Sequence, residues 1–142
     1  VPASALTAFY RVTEGYFTPY FYNPMLNKPE GLAGFTFAED DYGLIWKVRY
    51  ESGRTEEIRL TTYGSWHTQV LGRPEDYVRL CAAGAWWQDA TTLAVELKWV
   101  ETCFTKRICF AFKPEGLEVT EEKMRSVVSK IPDQVIRVER EV

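Results

Sequence analysis

Alternation of apolar and polar residues with a period of two is the feature that most restricts the fold of this chain. It is clearest at residues 92–101, where the inward positions are Leu93, Val95, Leu97 and Trp99. The same pattern recurs in four other segments: 35–37, 44–50, 58–62 and 106–112. A strand with one buried face places alternate side chains on opposite sides, so these segments predict an all-β, mostly antiparallel domain.

The aromatic content supports β structure. Phe, Trp and Tyr make up 15% of the 142 residues, and these side chains favour pleated, half-buried surfaces. The chain has the length of one domain, 1–142. Its short strands, spaced by about ten residues and separated by turn sequences, predict a sandwich or a closed up-and-down barrel.

Only one segment has the period of a helix. Its apolar residues are spaced i, i+3, i+4 and i+7, and they are Met124, Val127, Val128 and Ile131. Thr120 can cap the start of this helix and Pro132 ends it. We therefore expect one short helix near the C-terminus, at residues 120–131.

Charge and hydropathy exclude several kinds of partner. The net charge is −3, with 17 basic and 20 acidic residues, so no positive field is available for nucleic acid. No run of about 20 apolar residues occurs, so we expect no membrane span. The chain begins with Val1 instead of an initiator Met, which predicts an excised domain or a processed product.

Residues with catalytic or metal-binding chemistry are few. The single His67 makes a Ser/His/Asp triad improbable, and the G-x-S-x-G, S-x-x-K and glycine-rich phosphate motifs are absent. The three cysteines, Cys81, Cys103 and Cys109, lack zinc-site spacing and are expected to be structural thiols. We therefore predict no catalytic residue, no metal and no cofactor.

Glu101 is the acidic residue whose position is least ordinary. Strict alternation would direct it to the same inward face as Trp99, where a carboxylate needs a partner. Two interpretations follow. Glu101 either lies at the strand end, in solvent or in a salt bridge, or it anchors a ligand.

Spaced landmark residues between about 20 and 119 resemble a known domain. These are Tyr22-Asn23-Pro24, Gly31-Leu32, Phe35-Thr36-Phe37, Gly64-Ser65-Trp66, Ala83-Gly84-Ala85-Trp86 and the stretch Thr92 to Thr102. Their order resembles the C-terminal domain of bacterial β-lactamase-related, penicillin-binding-protein-like serine hydrolases. The resemblance implies a lipocalin-like antiparallel barrel of about eight strands, attached to an N-terminal catalytic domain that holds the serine. Residues 1–20 fall outside the resemblance and are expected to be a linker or a segment that wraps the barrel.

The resemblance leads to a primary functional hypothesis and an alternative. The first is a non-catalytic accessory domain that packs beside the hydrolase domain of the same bacterial polypeptide, exported or cytoplasmic, and shapes access to it. This hypothesis predicts an exposed apolar or aromatic patch where the catalytic domain docks. The alternative is a stand-alone barrel that binds a small apolar ligand, with Trp46, Tyr50, Trp86 and Trp99 as lining and Glu101 as anchor. An independent enzyme, with His67 or Glu101 in a cleft, is the least favoured hypothesis.

Overall fold

The computed structural model describes residues 1–20, 28–62, 64–76, 78–102, 104–122 and 134–141. Within these ranges it contains one short helix and ten strands. They are α1 (Ala3–Leu6), β1 (Tyr10–Glu14), β2 (Leu32–Asp40), β3 (Gly43–Tyr50), β4 (Thr55–Thr61), β5 (His67–Val70), β6 (Leu80–Trp87), β7 (Thr92–Trp99), β8 (Thr105–Lys113), β9 (Gly116–Glu122) and β10 (Gln134–Arg140).

The strands form a closed barrel. Their order in the sheet is β4-β3-β2-β1-β10-β9-β8-β7-β6-β5, and neighbours pair antiparallel. A parallel contact between Thr61 of β4 and Gly84 of β6 closes a ring of nine strands, with β5 pairing alongside β6. The expectation of an all-β, mostly antiparallel barrel is confirmed.

Tight turns connect several pairs of successive strands. The β2–β3 and β8–β9 turns end at Gly43 and Gly116, whose φ angles are +136° and +146°. Residues with a Cβ rarely adopt these φ angles, so glycine allows both hairpins to close. We call the end with the turns at 41–42, 88–91 and 114–115 the hairpin end. The opposite end, with the turns at 51–54 and 100–102, is called the plugged end because residues 15–20 enter the barrel there.

The helix expected at residues 120–131 begins inside a strand. Thr120 and Glu121 belong to β9, where they pair with Val135 and Gln134 of β10. The helix expectation is therefore wrong for residues 120–122, because the inward alternation of Leu117, Val119 and Glu121 continues β9. The four apolar residues that predicted the helix, Met124, Val127, Val128 and Ile131, lie outside the described residues. The short helix in the described ranges is α1, near the N-terminus.

Residues 1–20, expected to be a linker or a wrapping segment, contribute to the barrel itself. Strand β1 lies between β2 and β10, so the ring is incomplete without it. Residues 15–20, which we call the plug, follow β1 and insert Phe17 and Tyr20 into the barrel. The segment is a structural part of the barrel because its rings bury apolar surface that has no other cover.

Candidate functional site

Three of the five residues expected to line the barrel lie inside it. Trp46 on β3, Tyr50 at the end of β3 and Trp99 at the end of β7 are fully buried. All three sit on the inward face because they share the period of buried neighbours such as Val48 and Leu97.

Trp86 and Glu101 lie elsewhere. The inward residues of β6 include Cys81, Ala83 and Ala85, so the alternation places Trp86 on the outward face of the strand. The expectation that Trp86 lines the interior is therefore off by one residue, and its ring lies against Arg107. Strand β7 ends at Trp99, and Glu101 is exposed in the following turn. The strand-end interpretation of Glu101 is therefore the correct one.

The middle of the barrel is filled with aromatic side chains. The Phe17 ring of the plug lies 5.8 Å from Trp46, 6.0 Å from Phe35 and 6.4 Å from Phe110, measured between ring centroids. Phe37 packs edge-on against Phe110 at 5.1 Å. Edge-to-face packing at these distances is typical of a protein core. Trp46 and Trp99, two of the indoles expected to line a ligand cavity, contact protein rings instead.

A buried polar cluster closes the plugged end. The Glu56 carboxylate of β4 accepts hydrogen bonds from the Tyr20 and Tyr50 hydroxyls and, at 2.7 Å, from the backbone N–H of Gly72. The two tyrosine rings stack at 5.6 Å, and Arg54 donates to the Tyr20 hydroxyl at 3.0 Å. Burial raises the pKa of both phenols above the ordinary value, so Tyr20 and Tyr50 are neutral donors that hold the plug to the barrel wall.

A second buried group, Lys106 with Glu121, holds the plug from the opposite side. The Lys106 ammonium lies 3.2 Å from the Glu121 carboxylate and donates to the Thr18 carbonyl at 2.6 Å and to the Tyr20 carbonyl at 3.3 Å. Both charged residues are almost completely buried. Sequence analysis missed them, although each shares the inward period of apolar neighbours, Ile108 for Lys106 and Val119 for Glu121.

Two tryptophans lie on the outside of the barrel. Trp66, in the connection before β5, lies flat over Gly84 of β6, where an added Cβ would come within 2.9 Å of its ring. Trp86 is two residues further along β6, on the same outer side. The Lys98 ammonium sits 4.2 Å from the Trp66 ring centroid, and the Arg107 guanidinium 5.4 Å from that of Trp86.

A nearly buried carboxylate connects the two cations. Glu96, only 8% exposed, lies 3.0 Å from Arg107 and 3.9 Å from Lys98. We call this surface the outer tryptophan face: Trp66, Gly84, Trp86, Glu96, Lys98 and Arg107. The carboxylate fixes both cations against the indoles, which gives a pre-organised surface of aromatic rings and positive charge.

The residues considered for catalysis or metal binding do not converge in the described structure. His67 is exposed on β5, where it pairs with Ala83. Burial raises the pKa of the Cys81 thiol to about 12, Cys109 is half-buried, and Cys103 lies outside the described residues. Within the described ranges, His, Cys, Asp and Glu form no group of three that could hold a metal ion.

Two sequence comparisons give no match. A scan against models of protein families and a search of curated sequences both find nothing similar to this chain. None of the helices in the described segments is long and apolar enough to span a membrane.

Proposed function

We propose that this chain is a non-catalytic accessory barrel of a β-lactamase-related serine hydrolase, and that it docks on the catalytic domain through the outer tryptophan face. The observation that carries the proposal is the convergence of three sequence landmarks. Gly64-Ser65-Trp66, Ala83–Trp86 and Thr92–Thr102 belong to three separate segments of the chain, and together they supply five of the six residues of this one surface. The sixth is Arg107.

The chemistry of the face suits a protein partner. Tryptophan and arginine contribute strongly to protein interfaces, because they bury a large area and retain a polar group for a hydrogen bond. Trp66 is 37% exposed and rests on a glycine, so its outer surface is open to a partner. Lys98 and Arg107 add positive charge, which favours an acidic patch on the catalytic domain.

The test uses the barrel and the catalytic domain of the parent polypeptide, purified separately. Titration calorimetry should show saturable binding, and the double variant Trp66→Ala/Trp86→Ala should weaken it at least thirtyfold, a loss of about 2 kcal/mol. Trp87→Ala is the matched control, since Trp87 is also about 40% exposed but lies at the hairpin end. An equal loss of affinity in the double variant and in Trp87→Ala, or no binding by the wild type, would contradict the proposal.

A second test separates accessory from catalytic function. The isolated barrel should not hydrolyse nitrocefin or p-nitrophenyl esters above the buffer rate, because the chain lacks the G-x-S-x-G and S-x-x-K motifs that present a serine nucleophile. Turnover that disappears in His67→Ala would show an enzyme instead.

One observation favours the alternative of an interior apolar ligand. The indole N–H groups of Trp46 and Trp99 are buried and have no hydrogen-bond partner in the described structure. A ligand with an acceptor group would satisfy them. Saturable quenching of tryptophan fluorescence by a fatty acid, lost in Trp99→Phe, would support this alternative over the accessory role.

A further inference from the structure

The strongest site outside the outer tryptophan face is a cleft in the barrel wall between β9 and β10. These strands pair only at their plugged ends, through Gln134 with Glu121, Val135 with Thr120 and Ile136 with Val119. Nearer the hairpin end, residues 116–118 pair only with β8, and residues 137–140 pair only with β1. The cleft between them has a volume of about 810 Å³.

In the part of the chain that the structure describes, both walls of the cleft are strand edges with unpaired backbone groups. The Glu141 N–H donates to the Phe9 carbonyl, so Glu141 directs its backbone toward the N-terminal segment. Successive residues of a strand direct their backbone groups to opposite sides, so those of Val138 and Arg140 are directed away from β1 and into the cleft. The tight hairpin that pairs Lys113 with Gly116 likewise directs those of Leu117 into the cleft from β9. An open strand edge is a template for another extended chain.

The floor of the cleft is apolar. Tyr10, Phe112 and Leu117 form it, and the Tyr10 and Phe112 rings contact each other with centroids 6.3 Å apart. Val138 lies on the inward face of β10, beside this floor. An inserted strand could therefore bury every second side chain here.

Among the described residues around the cleft, the ion pairs leave one cation for a ligand. Lys113 is paired with Glu118, Arg137 with Glu14, and Arg11 with Glu139. The Arg140 guanidinium makes one described hydrogen bond, a donation to the Ser4 carbonyl at 3.1 Å, and it has donors left over. At the mouth of the cleft it favours a carboxylate.

We propose that this cleft binds an extended peptide segment of a partner protein, which adds a strand antiparallel to β10. An acidic residue of the segment pairs across from Arg140, and an apolar residue two positions later pairs across from Val138 and rests on the floor. This is strand addition to an open sheet edge, in which backbone hydrogen bonds give affinity and alternate side chains give selectivity. The proposal is independent of the hydrolase assignment.

The first experiment uses a synthetic probe, acetyl-Thr-Glu-Thr-Val-Thr-amide, with Leu or Phe also tested in place of Val. Saturable binding is expected, with amide hydrogen exchange of Val138 and Arg140 slowed at least tenfold. A probe with Lys in place of Glu should bind at least fivefold more weakly, and Arg140→Gln should abolish that difference.

A steric variant provides the second experiment. Ala5 lines the cleft, so Ala5→Trp should reduce binding at least tenfold, whereas Ala3→Trp, on the exposed side of the same helix, should not. Thermal unfolding checks that both variants fold. If Ala5→Trp does not fold, the hydrogen-exchange data on the wild type test whether the peptide binds in the cleft.

Three results would overturn the proposal. The first is no saturable binding of any of the probes at millimolar concentration. The second is peptide-dependent protection of a different edge, such as β5. The third is protection of Val138 and Arg140 that rises with protein concentration alone, since that would show a second copy of the chain at this edge.

Discussion

At the scale of single residues, Lys106 and Glu121 are the most unusual feature of the barrel. A charge inside a protein is tolerated only when its partners replace the lost water. Lys106 meets this condition with one carboxylate and two backbone carbonyls, those of Thr18 and Tyr20. The pair therefore ties β8, β9 and the plug together.

Lys106→Met should lower the free energy of unfolding by about 3–5 kcal/mol, because it leaves Glu121 buried without its cation. The double variant Lys106→Met/Glu121→Leu should recover part of this loss, since no unpaired charge remains. Urea unfolding at pH 7 measures both.

Lys113 with Glu118 is the matched control, because it joins the same two strands in an exposed position. Lys113→Met should leave the unfolding midpoint unchanged, since exposed ion pairs contribute little. Equal destabilisation by the two lysine variants would contradict the role assigned to burial.

At the scale of elements, the plug decides whether the barrel is filled. Phe17 is fully buried in the middle of the aromatic core. The aromatic residues of this segment are visible in the sequence, but their destination is not, because an irregular segment has no period that indicates a face. Since residues 1–20 also fall outside the family resemblance, they suggested a linker or a segment that wraps the barrel.

Phe17→Ala should lower the free energy of unfolding by about 3–5 kcal/mol and leave a cavity beside Trp46. The variant should then bind a small apolar molecule such as benzene, with a saturable change in tryptophan fluorescence that the wild type lacks. Phe9→Ala is the control. Its ring packs outside the barrel, over Gly34 and under Arg49, so its removal should create no benzene site.

At the scale of the whole molecule, closure depends on strands distant in sequence. Strand β1 joins β2 to β10, and the contact of β4 with β6 completes the ring. A closed barrel has no open edge along its full length, and here the β9–β10 cleft is a local exception.

Deletion of residues 1–14 should abolish cooperative unfolding, because it removes β1 and exposes the inner edges of β2 and β10. Deletion of residues 1 and 2, which precede α1, should preserve a single transition. Urea titration followed by far-ultraviolet circular dichroism distinguishes the two. Cooperative unfolding of the longer deletion would show that β1 is dispensable for closure.

The sequence by itself determined the fold class and most of the strands. Alternation is a local property, so it identified β3, β7 and β8 and the inward side chains of Trp46, Tyr50 and Trp99. Alternation left two interpretations of Glu101 open, a strand end or a ligand anchor, because it does not show where a strand ends. In the structure β7 ends at Trp99.

Tertiary structure alone decided the rest. The side of Trp86 depends on the register of β6, and a shift of one residue reverses every side chain. The outer tryptophan face, the Glu56 cluster and the β9–β10 cleft each join segments distant along the chain. No local pattern encodes such contacts, because only the pairing and closure of the strands bring these side chains and backbone edges together.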